Sequence, residues 1–513
     1  PNPLSATDTL RGGDSVTGLA GVLAYSGSGW SGTDAYRIHP TTTPTFFSNN
    51  PRPDTPPDVG GTLKIAAFNL LNYFTTLDES GAICGPGDNQ TCLGADNASE
   101  LTRQQAKLVA ALQGLDADII GVMLVENTAQ TALADLAGRL TGYFYIDNPA
   151  GAGIVLGDDA VTVGLLYKTA TVTPVGSSAT IADGFGATDL GTACGSGSDG
   201  VHPFDDHNGK PLAQTFKETS SGESLTVVIN RFVSKDSTTG YTDDDDQGDG
   251  QGNNNCTRTQ AAATLLEWLA TDPTGSGDSD FMVMGDLNAY AMEDPVTAFE
   301  ADGYTNEVSG YSYVFDGQWG ALDHILTSAT LHGQISGGAK WHINADEPSV
   351  LDYNTENKSA GQLDSLYNAD EYRSSNHDPV VVGLNLTAPC TAPSSLYANV
   401  TGETTLTLTW NDNCTSETGY NLYRDSALLA ELGADIATYD ETGLTCGTTY
   451  TYEVRAVNAA GESAGNDTTI TPGCAPVAGG GGETLTGSDG SDTLTGGAGA
   501  DTLIGAGGRD TLT

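Results

Sequence analysis

Short apolar runs punctuate the chain between residues 62 and 387: LKIAAFNLL from 63, ADIIGVMLV from 117, VTVGLLY from 161, LTVVINRF from 225, DFMVMGDL from 280 and VVVGLNL from 380. Their length and β-branched content predict strands. Between them lie segments with helical spacing, such as LTRQQAKLVAALQGL from 101 and RTQAAATLLEWLAT from 258. The alternation predicts one large α+β domain over 62–387, a two-sheet sandwich with helices outside and polar residues delivered at strand ends. Residues 1–61 hold short alternating stretches (VTGLAGVLAY, YRIHP) and close on NNPRPDTPPDVGG, whose prolines exclude a helix and predict a linker. From 388 to 474 the strands shorten, as in LTLTWNDN, GYNLYRD and TYTYEVRAVNAAGES, and predict a small all-β module. Residues 475–513 open with a Gly-rich hinge and continue as a repeat of nine, GSDGSDTLT, GGAGADTLI and GAGGRDTLT.

Charge narrows the function classes. The chain carries 66 acidic against 19 basic residues, a net charge of -47. Such a surface repels phosphate backbones and anionic lipid, which excludes passive coating of nucleic acid. It suits solubility outside the cell and the binding of divalent cations. No run of 18 apolar residues occurs, so no membrane-spanning helix is expected. The chain begins at Pro1 without an apolar leader and ends inside a repeat, which suggests a longer precursor.

Eight cysteines, an even number without a CxxC pair or a neighbouring His cluster, point to disulfides in an oxidising compartment rather than zinc. Four fall before residue 257 and four between 390 and 474, so pairing within each region is expected. Of the 105 connectivities open to eight cysteines, the pairing expected is Cys84 with Cys92, Cys194 with Cys256, Cys414 with Cys446 and Cys390 with Cys474.

Four stretches, FNLLNYF at 68–74, GDLNAY at 285–290, LDH at 322–324 and SSNHDPV at 374–380, together resemble the metal-dependent endonuclease/exonuclease/phosphatase family, the DNase I-like fold, and in particular its large secreted bacterial nucleases. The N-terminal 61 residues resemble the tail of the small β-rich domain that precedes the catalytic domain there. The resemblance implies Asn69 as the residue orienting the metal site, Asp286 and Asn288 as the pair binding metal and transition-state phosphate, Asp323 as the third-motif acid and His377 as the last His. Such enzymes cleave phosphodiesters with divalent metal, Mg²⁺ or Mn²⁺, and a proton-transferring His.

Three positions depart from that pattern. Leu124 stands where the family has a metal-ligating Glu, and an alkyl side chain cannot hold a hard cation. Arg231 stands for a general-acid His, and a guanidinium does not shuttle protons. Asn376 replaces the Asp before the final His. Glu126 would face the same way as Leu124 but about 6 to 7 Å further along the strand. Two carboxylates against one guanidinium leave a site of little affinity for Mg²⁺. The expectation is a secreted pseudo-nuclease in which Arg231 takes the metal's place by pairing with Asp286 or Asp323. Such a protein would serve as a scaffold that assembles with itself or with extracellular matrix and surface components. The alternative is an active extracellular endonuclease, with nucleic acid as partner, in which Glu126 substitutes for Leu124.

Trp410 and the Tyr450/Tyr452 pair make residues 388–474 resemble a fibronectin type III sandwich. The nonapeptides are similar to RTX repeats of bacterial secreted proteins, which implies Ca²⁺ held by Asp489, Asp492, Asp501 and Asp510 in a parallel β-roll, with Leu494, Leu503 and Leu512 inward. The segment YTDDDDQGDGQGNNN at 241–255 reads either as an acidic solvated loop or as a Ca²⁺ loop using Asp243, Asp245, Asp246 and Asp249.

Overall fold

Every apolar run of the 62–387 region becomes a strand in one of two six-stranded sheets. The computed structural model describes residues 4–26, 35–79, 81–149, 155–315, 317–474, 484–495 and 501–512. The chain divides into two units, Pro1–Leu386 and Thr387–Thr513. In chain order the sandwich strands are β1 (Leu63–Tyr73), β2 (Ile119–Glu126), β3 (Tyr143–Tyr145), β4 (Val161–Lys168), β5 (Val172–Ala179), β6 (Gly209–Glu218), β7 (Ser224–Arg231), β8 (Phe281–Asp286), β9 (Thr305–Asn306), β10 (Asp323–Thr327), β11 (Ile335–Lys340) and β12 (Val380–Leu384). One sheet runs β11-β12-β1-β2-β4-β3 and the other β5-β6-β7-β8-β10-β9.

Each sheet has one parallel pair at its centre, β1 with β2 and β7 with β8. Parallel neighbours need a crossover, supplied by helices α1 (Ala98–Leu115) and α2 (Asn255–Leu269). Asn97 starts α1 by accepting from the backbone N–H of Ser99 and Glu100, which satisfies two of its free donors. Between the sheets Ile65, Met123, Leu165, Phe216, Ile229 and Met284 are fully buried or nearly so. The sheets approach closely at Gly121, where a Cβ would lie 2.6 Å from both Ile229 Cδ1 and Met284 Cε. The expected α+β sandwich is therefore present, and the C-terminal ends of its parallel strands open at one edge.

The N-terminal segment is fastened to this unit rather than free. Arg11 Nε and Arg52 Nη2 both reach Glu347, at 2.9 and 2.6 Å.

In the second unit, strands Ser394–Gly402, Thr405–Asn411 and Thr438–Thr442 form one sheet. Gly419–Arg424, Ala427–Gly433, Tyr450–Asn458, Gly461–Glu462 and Asn466–Ile470 form the other. Leu406, Leu408, Tyr420, Leu422, Tyr452 and Val454 fill the core between them.

The disulfides Cys84–Cys92 and Cys194–Cys256 form as expected, but the other four cysteines pair as Cys390–Cys414 and Cys446–Cys474. Strand register explains the correction. Ser394 pairs with Asn411, which sets the segment before one strand beside the loop after the next. Tyr450 pairs with Ile470, which does the same for Cys446 and Cys474.

Among the repeats, Thr484–Thr486 pairs in parallel with Thr502–Ile504, and Thr493–Leu494 with Thr511–Leu512. Partners stand 18 residues apart, so one coil contains two nonapeptides. Thr484–Thr486 thus belongs to a fourth repeat that the sequence disguised, because Glu483 stands where the other three have Asp. The expected hinge at 475–483 lies outside the described residues. Leu485 and Leu494 are buried, Leu503 is half-buried, and Leu512, expected inward, is 49% exposed because no described coil lies over it.

Candidate active site

The open edge of the sandwich gathers five motif residues through strand register. Asn69 on β1 is paired with Met123 on β2, Arg231 at the end of β7 with Asp286 at the end of β8, and Asp286 with Asp323 at the start of β10. His377 precedes β12. Asn69, Leu124, Arg231, Asp286, Asn288, Asn376 and His377 line one cavity of about 260 Å³, walled on its apolar side by Leu71, Tyr290, Tyr313, Phe315 and Leu322.

Hydrogen bonds hold the polar floor. Asn69 Nδ2 donates to Asp286 Oδ2 at 3.0 Å, and Asp286 Oδ1 accepts from the Asn288 backbone N–H at 2.9 Å. Asn288 adopts a left-handed backbone (φ 47°), a conformation Asn tolerates, and its Nδ2 donates to the Phe232 carbonyl at 2.9 Å. His377 Nδ1 lies 2.7 Å from Asp323 Oδ2, and its Nε2 lies 4.0 Å from Asp286 Oδ2. The ligand atoms of Asp286, Asp323 and His377 all fall within 4.8 Å of one another. Burial raises the Asp286 carboxyl, opposed by the His377 charge. Burial lowers the His377 imidazole, but the charges of Asp323 and Asp286 and the Asp323 hydrogen bond outweigh it, so the net shift is upward.

Arg231 does not take the place expected of it. Its Nη1 pairs with Asp159 Oδ2 at 3.0 Å, and it makes no ion pair with Asp286 or Asp323. The cationic group between those two carboxylates is His377. Asp159 lies in the segment VLGDDA at 155–160, just before β4, where no motif announces a partner for a distant Arg.

Glu126 is equally removed from the cavity. Its Oε2 accepts from Thr75 N, Thr75 Oγ1 and Thr76 N at 2.8, 2.9 and 3.1 Å. A carboxylate with three donors closes the loop after β1 and does not substitute for Leu124. Leu124 itself sits at a bulge of β2 against β4, with φ 58°. The bulge inserts one residue and turns its side chain to the cavity wall. A second irregularity, at Leu71 (φ 52°) and Asn72 (φ 64°) of neighbouring β1, flanks it.

Several supporting residues were not read from the sequence. Ser312 Oγ donates to Asp323 Oδ2 at 2.7 Å, and Ser375 Oγ donates to the Asn69 carbonyl at 2.7 Å. The Tyr313 ring lies 4.7 Å from that of His377. Of these only Ser375, inside SSNHDPV, carried a sequence signal.

Asp243, Asp245 and Asp249 line a shallow depression, yet they do not bring three carboxylate oxygens within 4.8 Å of one another. Asp246 and Asp249 accept from the backbone N–H of Gly248 and Gln251, folding the loop. Its buried acid is Asp244, which accepts from Thr257 N at 3.1 Å and from the Thr239 and Thr257 hydroxyls at 2.6 Å each. In the repeats, Asp492 Oδ2 accepts from Ser488 N at 2.7 Å, and Asp510 Oδ1 accepts from Asp492 N at 3.0 Å, which links successive coils. Asp489 is exposed and Asp501 half-buried.

A family model for the Endonuclease/Exonuclease/phosphatase family matches residues 67–377, and the chain belongs to that family. A Fibronectin type III domain model matches residues 391–471, and a model of the RTX calcium-binding nonapeptide repeat, four copies long, matches 477–512. Among curated proteins the chain is similar to Exoglucanase B of Cellulomonas fimi, 37% identical over 87 residues, which are 17% of this chain and 8% of that protein. It is also similar to Chitinase D of Niallia circulans, 37% identical over 81 residues, 15% of each chain. Solved structures similar to it include a mannosyl-6-phosphatase of Bacteroides thetaiotaomicron, at 16% identity, TM-score 0.37, covering 63% of this chain and 99% of that one. Another is an endonuclease/exonuclease/phosphatase from Beutenbergia cavernae, at 13% identity, TM-score 0.35, covering 80% and 99%. Among the described residues no helix is long and apolar enough to cross a membrane.

For the divalent ion implied by the family the cavity offers the ligand atoms of Asp286, Asp323 and His377. Leu124 presents carbon to the cavity, Asn376 is neutral, and one oxygen of Asp323 is engaged by His377 and Ser312. Asp323 Oδ1 remains buried and unpartnered. Two carboxylates and an imidazole are fewer oxygen donors than Mg²⁺ ordinarily takes, so water would complete its shell.

Proposed function

We propose that this is an extracellular protein whose endonuclease/exonuclease/phosphatase domain no longer hydrolyses phosphodiesters and serves as a scaffold. One observation carries the reading: Leu124 lines the cavity, at the position where the family resemblance implies a metal-ligating Glu, while Glu126, the nearest acid on the strand, is bound to the Thr75–Thr76 backbone. Without a resident metal, the phosphate charge has no Lewis acid to meet it, and Arg231 supplies no proton. The even set of disulfides and the calcium-binding repeats support a location outside a bacterial cell. Its partners are then copies of itself or other matrix and surface components rather than nucleic acid.

The Asp323–His377 pair favours a second reading, an active enzyme with a His oriented by a carboxylate. Plasmid nicking in Mg²⁺, Mn²⁺ or Ca²⁺ separates the two. The wild-type chain is expected to be silent and the triple variant Leu124→Glu/Arg231→His/Asn376→Asp to cleave. Metal-dependent cleavage by the wild type overturns the scaffold reading.

A further inference from the structure

An aromatic hairpin stands beside the cavity, built from strands Tyr313–Phe315 and Gln318–Gly320. Alternation along the first strand sends Tyr313 and Phe315 to one face, and both line the cavity. Val314 and its cross-strand partner Trp319 take the other face, where Trp319 Nε1 donates to Asp346 Oδ1 at 3.2 Å. Tyr290 braces the hairpin, since a Cβ on Gly320 would lie 2.0 Å from its Cε1. Lys235 Nζ stands 4.5 Å from the centre of the same ring. Tyr313 is half-buried and Phe315 is 52% exposed, so these two rings are the ones a ligand can reach.

The cations around the cavity are committed to acids. Arg231 is held by Asp159, Lys235 by Glu293 and His377 by Asp323. Asp286 on the floor and the exposed Asp236 are carboxylates that also line the cavity, so a free phosphate ester meets like charge there. The remaining polar atoms are a mixed set. Asp286 Oδ2 accepts from Asn69 Nδ2, and His377 Nε2 lies 4.0 Å from that oxygen, beyond hydrogen-bond reach. A hydroxyl donates and accepts at once, so one placed in that gap satisfies both groups. Asn376 Oδ1 is buried without a partner, and native folds leave few such atoms unpaired.

We propose that the cavity binds a neutral saccharide, one hexose ring whose hydroxyls meet Asp286, His377 and Asn376 and whose C–H face packs on Tyr313 and Phe315. A sugar ring combines an apolar face with a rim of groups that both donate and accept, which matches these walls and this floor. Leu71, Leu124 and Leu322 add apolar wall that suits C–H groups better than an ion. The cavity volume of about 260 Å³ falls just under the roughly 300 Å³ at which pockets for drug-sized ligands begin, so it admits a single ring. The inference rests on the scaffold reading and gives that scaffold a ligand, the carbohydrate of an extracellular matrix.

Saturation-transfer difference NMR of the full chain tests it, with the methyl glycosides of glucose, galactose, mannose and N-acetylglucosamine as probes. The buffer contains Ca²⁺ but neither Mg²⁺ nor Mn²⁺. At least one glycoside is expected to receive saturation on its ring protons, and inorganic phosphate is expected not to displace it. Phe315→Ala, at an exposed position, is expected to weaken that glycoside about tenfold. Asp286→Asn, which replaces the carboxylate by an amide of the same shape, is expected to weaken it at least as much. Near-ultraviolet circular dichroism identical to the wild type confirms that both variants fold. No transfer to any of the four glycosides, transfer unchanged in either variant, or displacement by inorganic phosphate overturns the proposal. Plasmid nicking on the same samples keeps the two readings apart. Nicking by the wild type overturns the scaffold reading, whereas silence toward every glycoside without nicking overturns the saccharide site alone.

Discussion

Arg231 turns from Asp286, its neighbour across the parallel strand pair, to Asp159, whose Oδ2 it meets at 3.0 Å. The guanidinium therefore closes the rim of the cavity instead of filling its floor. With side-chain exposures of 19% and 44%, the pair is partly hydrated and screened. Asp159→Asn is expected to cost no more than about 1 kcal/mol in urea unfolding. It is also expected to leave plasmid nicking absent. A loss several times larger would mean that the pair is a principal support of the sandwich.

Glu126 is assigned to structure and not to metal. Replacing it by Ala removes the one oxygen, Oε2, that accepts from Thr75 N, Thr75 Oγ1 and Thr76 N, whereas Gln keeps a carbonyl oxygen for them. The expected loss of stability in Glu126→Ala is about 2 kcal/mol, since a buried donor is left unpaired. In the Leu124→Glu/Arg231→His/Asn376→Asp background, adding Glu126→Gln is expected to leave Mn²⁺ affinity unchanged by calorimetry. Abolished binding would identify Glu126 as a ligand after all.

Loop length ranks the two disulfides of the first unit. Cys194–Cys256 closes 62 residues and Cys84–Cys92 closes 8. On the chain-entropy account, removing the first by Cys→Ser replacement costs about 4 kcal/mol and the second about 2.5 kcal/mol. Thermal unfolding of the two double-Ser variants checks the order. Equal losses would point to native packing, not loop closure, as the origin of the stabilisation.

The sandwich was legible because a doubly buried strand leaves an unbroken apolar run, and each such run is an interior strand of its sheet. That Asn69, Asp286, Asn288, Asp323 and His377 come together was legible too, because short motifs at strand ends converge once the strands align. Partner choice was not. Nothing local distinguishes Asp159 from any other loop acid, and Arg231 selects it through a contact 72 residues away in sequence. Glu126 and Leu124 show the same limit. Strand alternation put them on one face, but the bulge at Leu124, with its left-handed φ, breaks the period of two and sends the side chains to different places. The second unit's disulfides were misread for a related reason, since proximity there comes from hairpin register.

His324 supplies a pH dependence that can be isolated from the many surface carboxylates. Its ring is fully buried, with Nε2 2.9 Å from the Ala289 carbonyl and Nδ1 2.9 Å from Asn306 Nδ2. A carbonyl requires a donor and an amide N–H₂ requires an acceptor, so the ring is neutral with its proton on Nε2. Burial lowers it to about 4, from an ordinary value of 6.5. The native state thus refuses a proton that the unfolded chain accepts between pH 6.5 and 4. Stability consequently falls as pH drops through that window and is unaffected by this group above it. The full shift corresponds to about 3 kcal/mol. His324→Gln, which keeps a donor for the Ala289 carbonyl, is expected to be less stable than the wild type at pH 7.5 and to lose that deficit toward pH 4.5, as urea midpoints at both pH values would show. A deficit that stays constant with pH would mean that His324 titrates alike in both states.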